Sequence, residues 1–137
     1  MNRISKLASV CVLALIAGTA AQAETEIRIT HPMSAGTSKE AFDKIVAAFE
    51  AANPGITVKQ IVFDDDIYSD TGLITQLQGS EVPDLYFQWA GYPVQRDTEA
   101  GYAADLTDAM AGGWKESFID SAFAPGSGTV IDGKVRL

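Results

Sequence analysis

Two periodicities divide the chain after a first, mostly apolar stretch. Leu7 to Gly18 is uncharged and mostly apolar, and polar residues take over only after Ala23. From there, Glu26 to His31 alternates with Ile27 and Ile29 on one face, which predicts a strand bounded by Pro32 and Gly36. Phe42, Ile45, Val46 and Phe49 then recur at the three-and-four spacing of a helix that buries one face, with Thr37 or Ser38 placed to cap it and Asn53-Pro54-Gly55 to stop it. The β-branched run Ile56 to Phe63 predicts a second strand. Its polar continuation, Asp64-Asp65-Asp66, leads into a second helix from about Ser69 to Gly79 whose apolar face is Leu73, Ile74 and Leu77. Pro83-Asp84 opens a third strand, Leu85 to Trp89, closed by Ala90-Gly91-Tyr92-Pro93.

The order β-α-β-α-β implies right-handed crossovers and an α/β fold, a mostly parallel sheet flanked by helices. A helix from Val94 to Ala100, a helical stretch around Trp114 to Phe118, and a hairpin over Val130 to Leu137 on the Asp132-Gly133 turn complete the prediction.

The first apolar stretch carries a different message. Arg3 and Lys6 precede it and Ala21-Gln22-Ala23 follows it, the three-part pattern of a secretory signal cleaved before Glu24. A membrane anchor needs about 20 strongly apolar residues, and this run reaches small and polar ones too early. Cys11, the only cysteine, lies within the leader and ahead of most of its apolar run, so the mature chain is left without a thiol for a disulfide, a metal or a nucleophile.

Removing the 23-residue leader from 137 residues leaves 114, room for one modest domain and not for two. Without Arg3 and Lys6, eight basic residues face eighteen acidic ones, a net charge of −10 that repels phosphate backbones and argues against nucleic acid as a partner.

Four segments carry a family resemblance: FEAANPGITV (Phe49 to Val58), GSEVPDLYFQWAG (Gly79 to Gly91), EAGYAADLTD (Glu99 to Asp108) and IDGKVRL (Ile131 to Leu137). In this order and spacing the mature chain resembles the bacterial extracellular solute-binding proteins of ABC importers, in the carbohydrate-binding, maltose-receptor-like branch. The resemblance implies a periplasmic-binding-protein (type II) lobe. It also implies a periplasmic, non-enzymatic receptor that delivers a sugar or oligosaccharide to a membrane permease, expected as a monomer with no cofactor and no metal. Complete members have two α/β lobes that grip the ligand between them. Residues 24–137 are therefore expected to be the N-terminal lobe, truncated before the second.

In an open parallel sheet, ligands bind beyond the carboxyl ends of the strands, so the loops His31 to Ser38, Asp64 to Asp70 and Trp89 to Pro93 hold the candidates. Trp89 offers an indole face for the C–H face of a sugar, and the resemblance aligns it with a sugar-touching tryptophan of that branch. Tyr92 can stack or bond a hydroxyl from the same loop. Asp65 and Asp66 supply acceptor oxygens for sugar hydroxyls, whereas Asp64 reads as a solvated helix-start residue. His31, the sole histidine, ends the first strand and can bond a ligand hydroxyl through a ring nitrogen, and Ser34, a small residue near the next helix start, either lets backbone amides face a ligand or makes the turn. Gly36 either lets amides face a ligand or makes the turn. Trp114 and the Tyr86-Phe87 pair read as core.

The acidic run does not match a calcium loop, because Ser69 and Thr75 stand where a glycine and a glutamate are required. A secreted glycosidase could be cast from Asp64 to Asp66 with Glu40. No nucleophile elbow or metal-spaced histidine pair supports it. Within the binding class, a polyamine or other cationic small solute is the alternative, since acidic loops and aromatic faces also suit an ammonium.

Overall fold

The computed structural model describes residues 24–124 and 126–136. The expected leader, with Cys11, and the last residue of the expected hairpin lie outside the described residues. Among those described, no helix is long and apolar enough to cross a membrane.

Strand β1 (Thr25–His31) lies at the centre of a three-stranded sheet in the order β2-β1-β3, with β2 (Ile56–Val62) and β3 (Leu85–Tyr86) both parallel to it. Pairing of β1 with β2 runs from Thr25↔Ile56 to His31↔Val62, so the strands reach their carboxyl ends together. At the start of β3 the Asp84 carboxylate accepts the Arg28 amide at 2.8 Å while the Asp84 amide donates to the Arg28 carbonyl at 2.9 Å. The aspartate after Pro83 thus extends the ladder to β1 through its side chain.

Helix α1 (Gly36–Ala52) joins β1 to β2. It begins at Gly36, two or three residues earlier than a cap at Thr37 or Ser38 implies, and has no side-chain cap from either. Asn53 ends it, donating its amide to the Phe49 carbonyl at 2.8 Å. The expectation that Phe42, Ile45, Val46 and Phe49 are buried is corrected: with Ile27, Ile29, Val58 and Leu85 they line an open apolar groove, and Ile45 is 63% exposed. Helical spacing determines which face is apolar. Whether an element covers that face is a tertiary matter, and a sheet this narrow leaves it open.

After β2, the chain turns helical at Asp65 and not at Ser69. Helix α2 (Asp65–Ile67), a π turn (Tyr68–Gly72) and α3 (Leu73–Gln78) follow without a break. They bring Tyr68, Leu73 and Leu77 together as the buried core, against which Phe63, Tyr86, Phe87 and Tyr102 pack. Strand β3 ends at Tyr86, three residues short of the prediction, so Trp89 stands on a loop ahead of α4 (Tyr92–Glu99).

The remaining residues form α5 (Thr107–Ala111), which periodicity had not indicated, two 3-10 turns (Trp114–Ser117 and Asp120–Phe123), and the hairpin of β4 (Val130–Ile131) with β5 (Lys134–Val135). Asp132 and Gly133 turn the hairpin at φ 52° and 75°, the left-handed pair that a two-residue turn of this kind requires. The hairpin docks onto the start of α5. Leu106 donates to the Val135 carbonyl at 3.0 Å, the Thr107 hydroxyl accepts the Val135 amide at 3.0 Å, and Lys134 pairs with Asp105 at 2.9 Å. Hydrogen bonds from Thr107, reinforced by Lys134, hold the Asp105 carboxyl well below the usual carboxylate range.

Candidate functional site

Beyond the carboxyl ends of β1, β2 and β3, Trp89 lines two cavities. One, of about 260 Å³, is lined by residues that include Tyr68, Ser69, Asp70, Gln88 and Arg96; the other, of about 300 Å³, includes Met33, Ser34, Ser38, Asp65 and Phe87. Trp89 is 37% exposed. Its ring is held edge-on by Phe87, at 5.0 Å and 89°, and by Tyr68, at 5.9 Å and 65°. Aromatic groups thus brace the indole while part of its surface stays open, the arrangement of a stacking platform.

Tyr68 owes its place to the π turn. It is buried, and its hydroxyl lies 2.5 Å from the Phe87 carbonyl and 3.2 Å from the Thr30 carbonyl, tying the helical segment to the ends of β1 and β3. Burial raises its pKa strongly, and the same cause, with the nearby Asp97 carboxylate, pushes Tyr86 up to about 12. Both phenols remain protonated donors across the ordinary pH range.

Of the residues singled out in the sequence, Trp89, Asp65 and Ser34 meet around one cavity. Asp66 does not join them; its carboxylate accepts the Ile67 amide at 2.9 Å at the helix start. Tyr92 is 74% exposed at the start of α4 and lies outside both cavities that Trp89 lines. His31 is 1% exposed and faces neither cavity. Its Nδ1 accepts the Met33 amide at 3.2 Å, which leaves the proton on Nε2 to donate to the Gln60 side-chain oxygen at 3.0 Å. Gln60 passes the network to Asp43 at 3.3 Å, and Phe42 covers the imidazole at a centroid distance of 4.2 Å. His31 therefore shapes the Pro32-Met33-Ser34 loop from beneath. Burial holds its pKa below the ordinary histidine value, Lys39 adding to this against the opposing influence of Gln60 and Asp43.

Tyr68 and Asp70 lie in the loop Asp64 to Asp70 that the sequence indicated but were not singled out there, and Gln88 and Arg96 were passed over. A polar Gln88 inside the apolar run Leu85 to Trp89 was the one available signal. Arg96 contributes a guanidinium to the same cavity as the Asp70 carboxylate, so that cavity presents donors as well as acceptors. Among the described residues, no group of three or more histidine, cysteine, aspartate or glutamate side chains could hold a metal ion.

A profile of the family described as bacterial extracellular solute-binding protein matches residues 35–131. A putative ABC transporter periplasmic-binding protein of Escherichia coli, YcjN, is 31% identical over 99% of this chain and 29% of its own length. Among solved structures, the chain is similar to an ABC substrate-binding protein from Listeria monocytogenes in complex with cycloalternan, with a TM-score of 0.65 and 27% identity over 82% of this chain and 28% of that one. It is similar also to a maltose/maltodextrin-binding domain from Bdellovibrio bacteriovorus bound to maltotriose, with a TM-score of 0.61 and 23% identity over 81% of this chain and 27% of that one. A structure from work on xylan utilization by Caldanaerobius polysaccharolyticus superposes with a TM-score of 0.71 at 22% identity, over 81% of this chain and 27% of its own. The chain thus spans between 27% and 29% of the length of these relatives.

Proposed function

The chain belongs to the bacterial extracellular solute-binding proteins, and from that membership we propose that it captures a neutral sugar or oligosaccharide for an ABC importer. Membership places it among binding proteins and not enzymes, and its fold is that of a type II periplasmic-binding-protein lobe. Residues 24–137 are proposed as the N-terminal lobe of a two-lobe receptor, with the leader directing export to the periplasm and the loaded receptor docking on a membrane permease.

The observation that carries the sugar reading is the placement of Trp89. It lines two cavities, one offering Ser34 and Asp65 and the other Ser69, Asp70, Gln88 and Arg96. A sugar presents apolar C–H faces to stack and hydroxyls that both donate and accept, which matches this mixture. The names of the solved relatives, two of which carry cycloalternan and maltotriose, lend support. A polyamine would find Asp65, Asp70 and the aromatic faces, but it has only donors to set against the Arg96 guanidinium.

Calorimetric titration of the complete receptor with malto- and xylo-oligosaccharides and with spermidine tests this reading. Saturable binding of a neutral oligosaccharide, with spermidine silent, is expected. Residues 24–137 alone should bind the same sugar far more weakly, because losing interactions worth about 4 kcal/mol moves a micromolar site to near millimolar. Spermidine binding without sugar binding would overturn the sugar assignment, and tight binding by the single lobe would overturn the two-lobe reading.

A further inference from the structure

Asp97 is the one carboxylate buried completely among the described residues, at 0% exposure, and it lines neither cavity beside Trp89. Every side chain that bonds its carboxylate does line one of them. Gln88 donates its amide to Oδ2 at 2.5 Å, and Arg96 donates Nε and Nη2 to Oδ1 at 2.9 and 2.8 Å. The amide oxygen of Gln88 in turn accepts the backbone amide of Trp89 at 3.0 Å. A hydrogen-bonded line therefore runs from the buried carboxylate, through Gln88, to the backbone that carries the indole.

A glutamine amide can point either way. Trp89 requires its oxygen on one side, and only an acceptor on the other side keeps its nitrogen there. The Asp97 carboxylate supplies that acceptor and has no proton to offer when ionised, so it fixes the orientation of Gln88. The bond from a charged acceptor in a dry setting is of the stronger kind. Arg96 neutralises the carboxylate, which allows it to stay buried. Helix α4 is anchored at the same residue from the other direction, since the Asp97 carbonyl accepts the amides of Tyr102 at 2.8 Å and Ala103 at 3.3 Å.

We propose that Asp97 is a positioning residue for the Trp89 platform: acting through Gln88, it sets the place of the indole, and through its own ion pair it aims Arg96 at the cavity. The importance of this arrangement for ligand capture rests on the sugar reading above. The coupling itself does not, and it can be measured without ligand.

Trp114 is the only other tryptophan, so Trp114→Phe in the full chain leaves Trp89 as the sole indole reporter. In that background, Asp97→Ala and Gln88→Leu should each shift the emission of Trp89 to longer wavelength and raise its quenching by acrylamide, with the far-ultraviolet circular dichroism unchanged. Asp97→Asn keeps one carbonyl oxygen that can face Gln88, so it should restore the emission while releasing Arg96. Where Asp97→Ala fails to fold, Gln88→Leu decides, because it removes the link and leaves the buried pair with Arg96 in place.

Unshifted emission in Gln88→Leu, or a shift in Asp97→Ala that Asp97→Asn does not reverse, would overturn the proposal. Affinity for the best oligosaccharide forms a separate arm, with a loss of about tenfold expected in Gln88→Leu. Shifted emission with unchanged affinity would leave the coupling standing and contradict only the role of Trp89 in sugar capture.

Discussion

Both ring nitrogens of His31 are engaged by the protein itself, one by the Met33 amide and the other by Gln60, and this gives the residue a role that its place at a strand end did not reveal. The position at the carboxyl end of β1 was legible from the alternation of Ile27 and Ile29. The direction of the ring was not, because it depends on Gln60, 29 residues away on β2. Its titration supplies a test. The folded pKa is held below the ordinary value, so as pH falls past about 6.5 the unfolded chain takes up a proton that the folded chain refuses. Stability is fully present above that value and declines below it, towards the lowered folded pKa. As His31 is the sole histidine, thermal melting followed from about pH 7.5 to about pH 5.5 should show this decline, and His31→Gln should flatten it. An equal decline in His31→Gln would place its source elsewhere.

At the scale of elements, strands β1 and β2 and helix α1 were legible because each follows one period over many residues. Prediction failed where a feature depends on bonds across the fold. The π turn at Tyr68–Gly72 moves the helix start forward to Asp65, and no side-chain period marks a π turn. Asp97 sits in a short polar helix, and its burial follows from Gln88 nine residues earlier, a partner that helical spacing does not indicate.

The turn after Trp89 shows the same dependence. Gly128, at φ +81°, passes so close to it that a Cβ there would lie 2.7 Å from the Gly91 nitrogen and 3.1 Å from the Ala90 Cβ. Gly126 has nearly the same φ, +82°, but nothing within 4 Å of its place for a Cβ. Gly126→Ala should therefore show backbone strain alone, on the order of 1–3 kcal/mol, and Gly128→Ala a further loss together with weaker ligand binding, because Ala90 and Gly91 follow the platform directly. Denaturant melts and titrations of the two variants compare them. Equal losses in both would show that the close approach does not matter.

At the scale of the molecule, the chain spans 27% to 29% of the length of its relatives, and two parts of the proposed function reach beyond the described residues: export and the ligand grip. Arg3, Lys6, the apolar run and Ala21-Gln22-Ala23 lead us to propose removal of the leader. Mass spectrometry of the protein recovered from the periplasm of its native host should give an N-terminus at Glu24. Soluble protein that retains Met1 would contradict export.

The proposed grip depends on Trp89, and the two tryptophans provide an internal comparison. Trp114 packs edge-on against Phe118 at 5.4 Å and lines neither cavity that Trp89 lines, although at 49% exposure it is not the core residue expected from the sequence. Loss of one stacked aromatic costs on the order of 1–3 kcal/mol, about tenfold in affinity or more. Calorimetric titration of the complete receptor, as Trp89→Ala and as Trp114→Ala, with the neutral oligosaccharide it binds best is the most direct measurement. At least a tenfold weaker affinity is expected for Trp89→Ala and little change for Trp114→Ala. Equal affinities in the two variants would mean that Trp89 closes the sheet end as a core residue and that the ligand is held elsewhere.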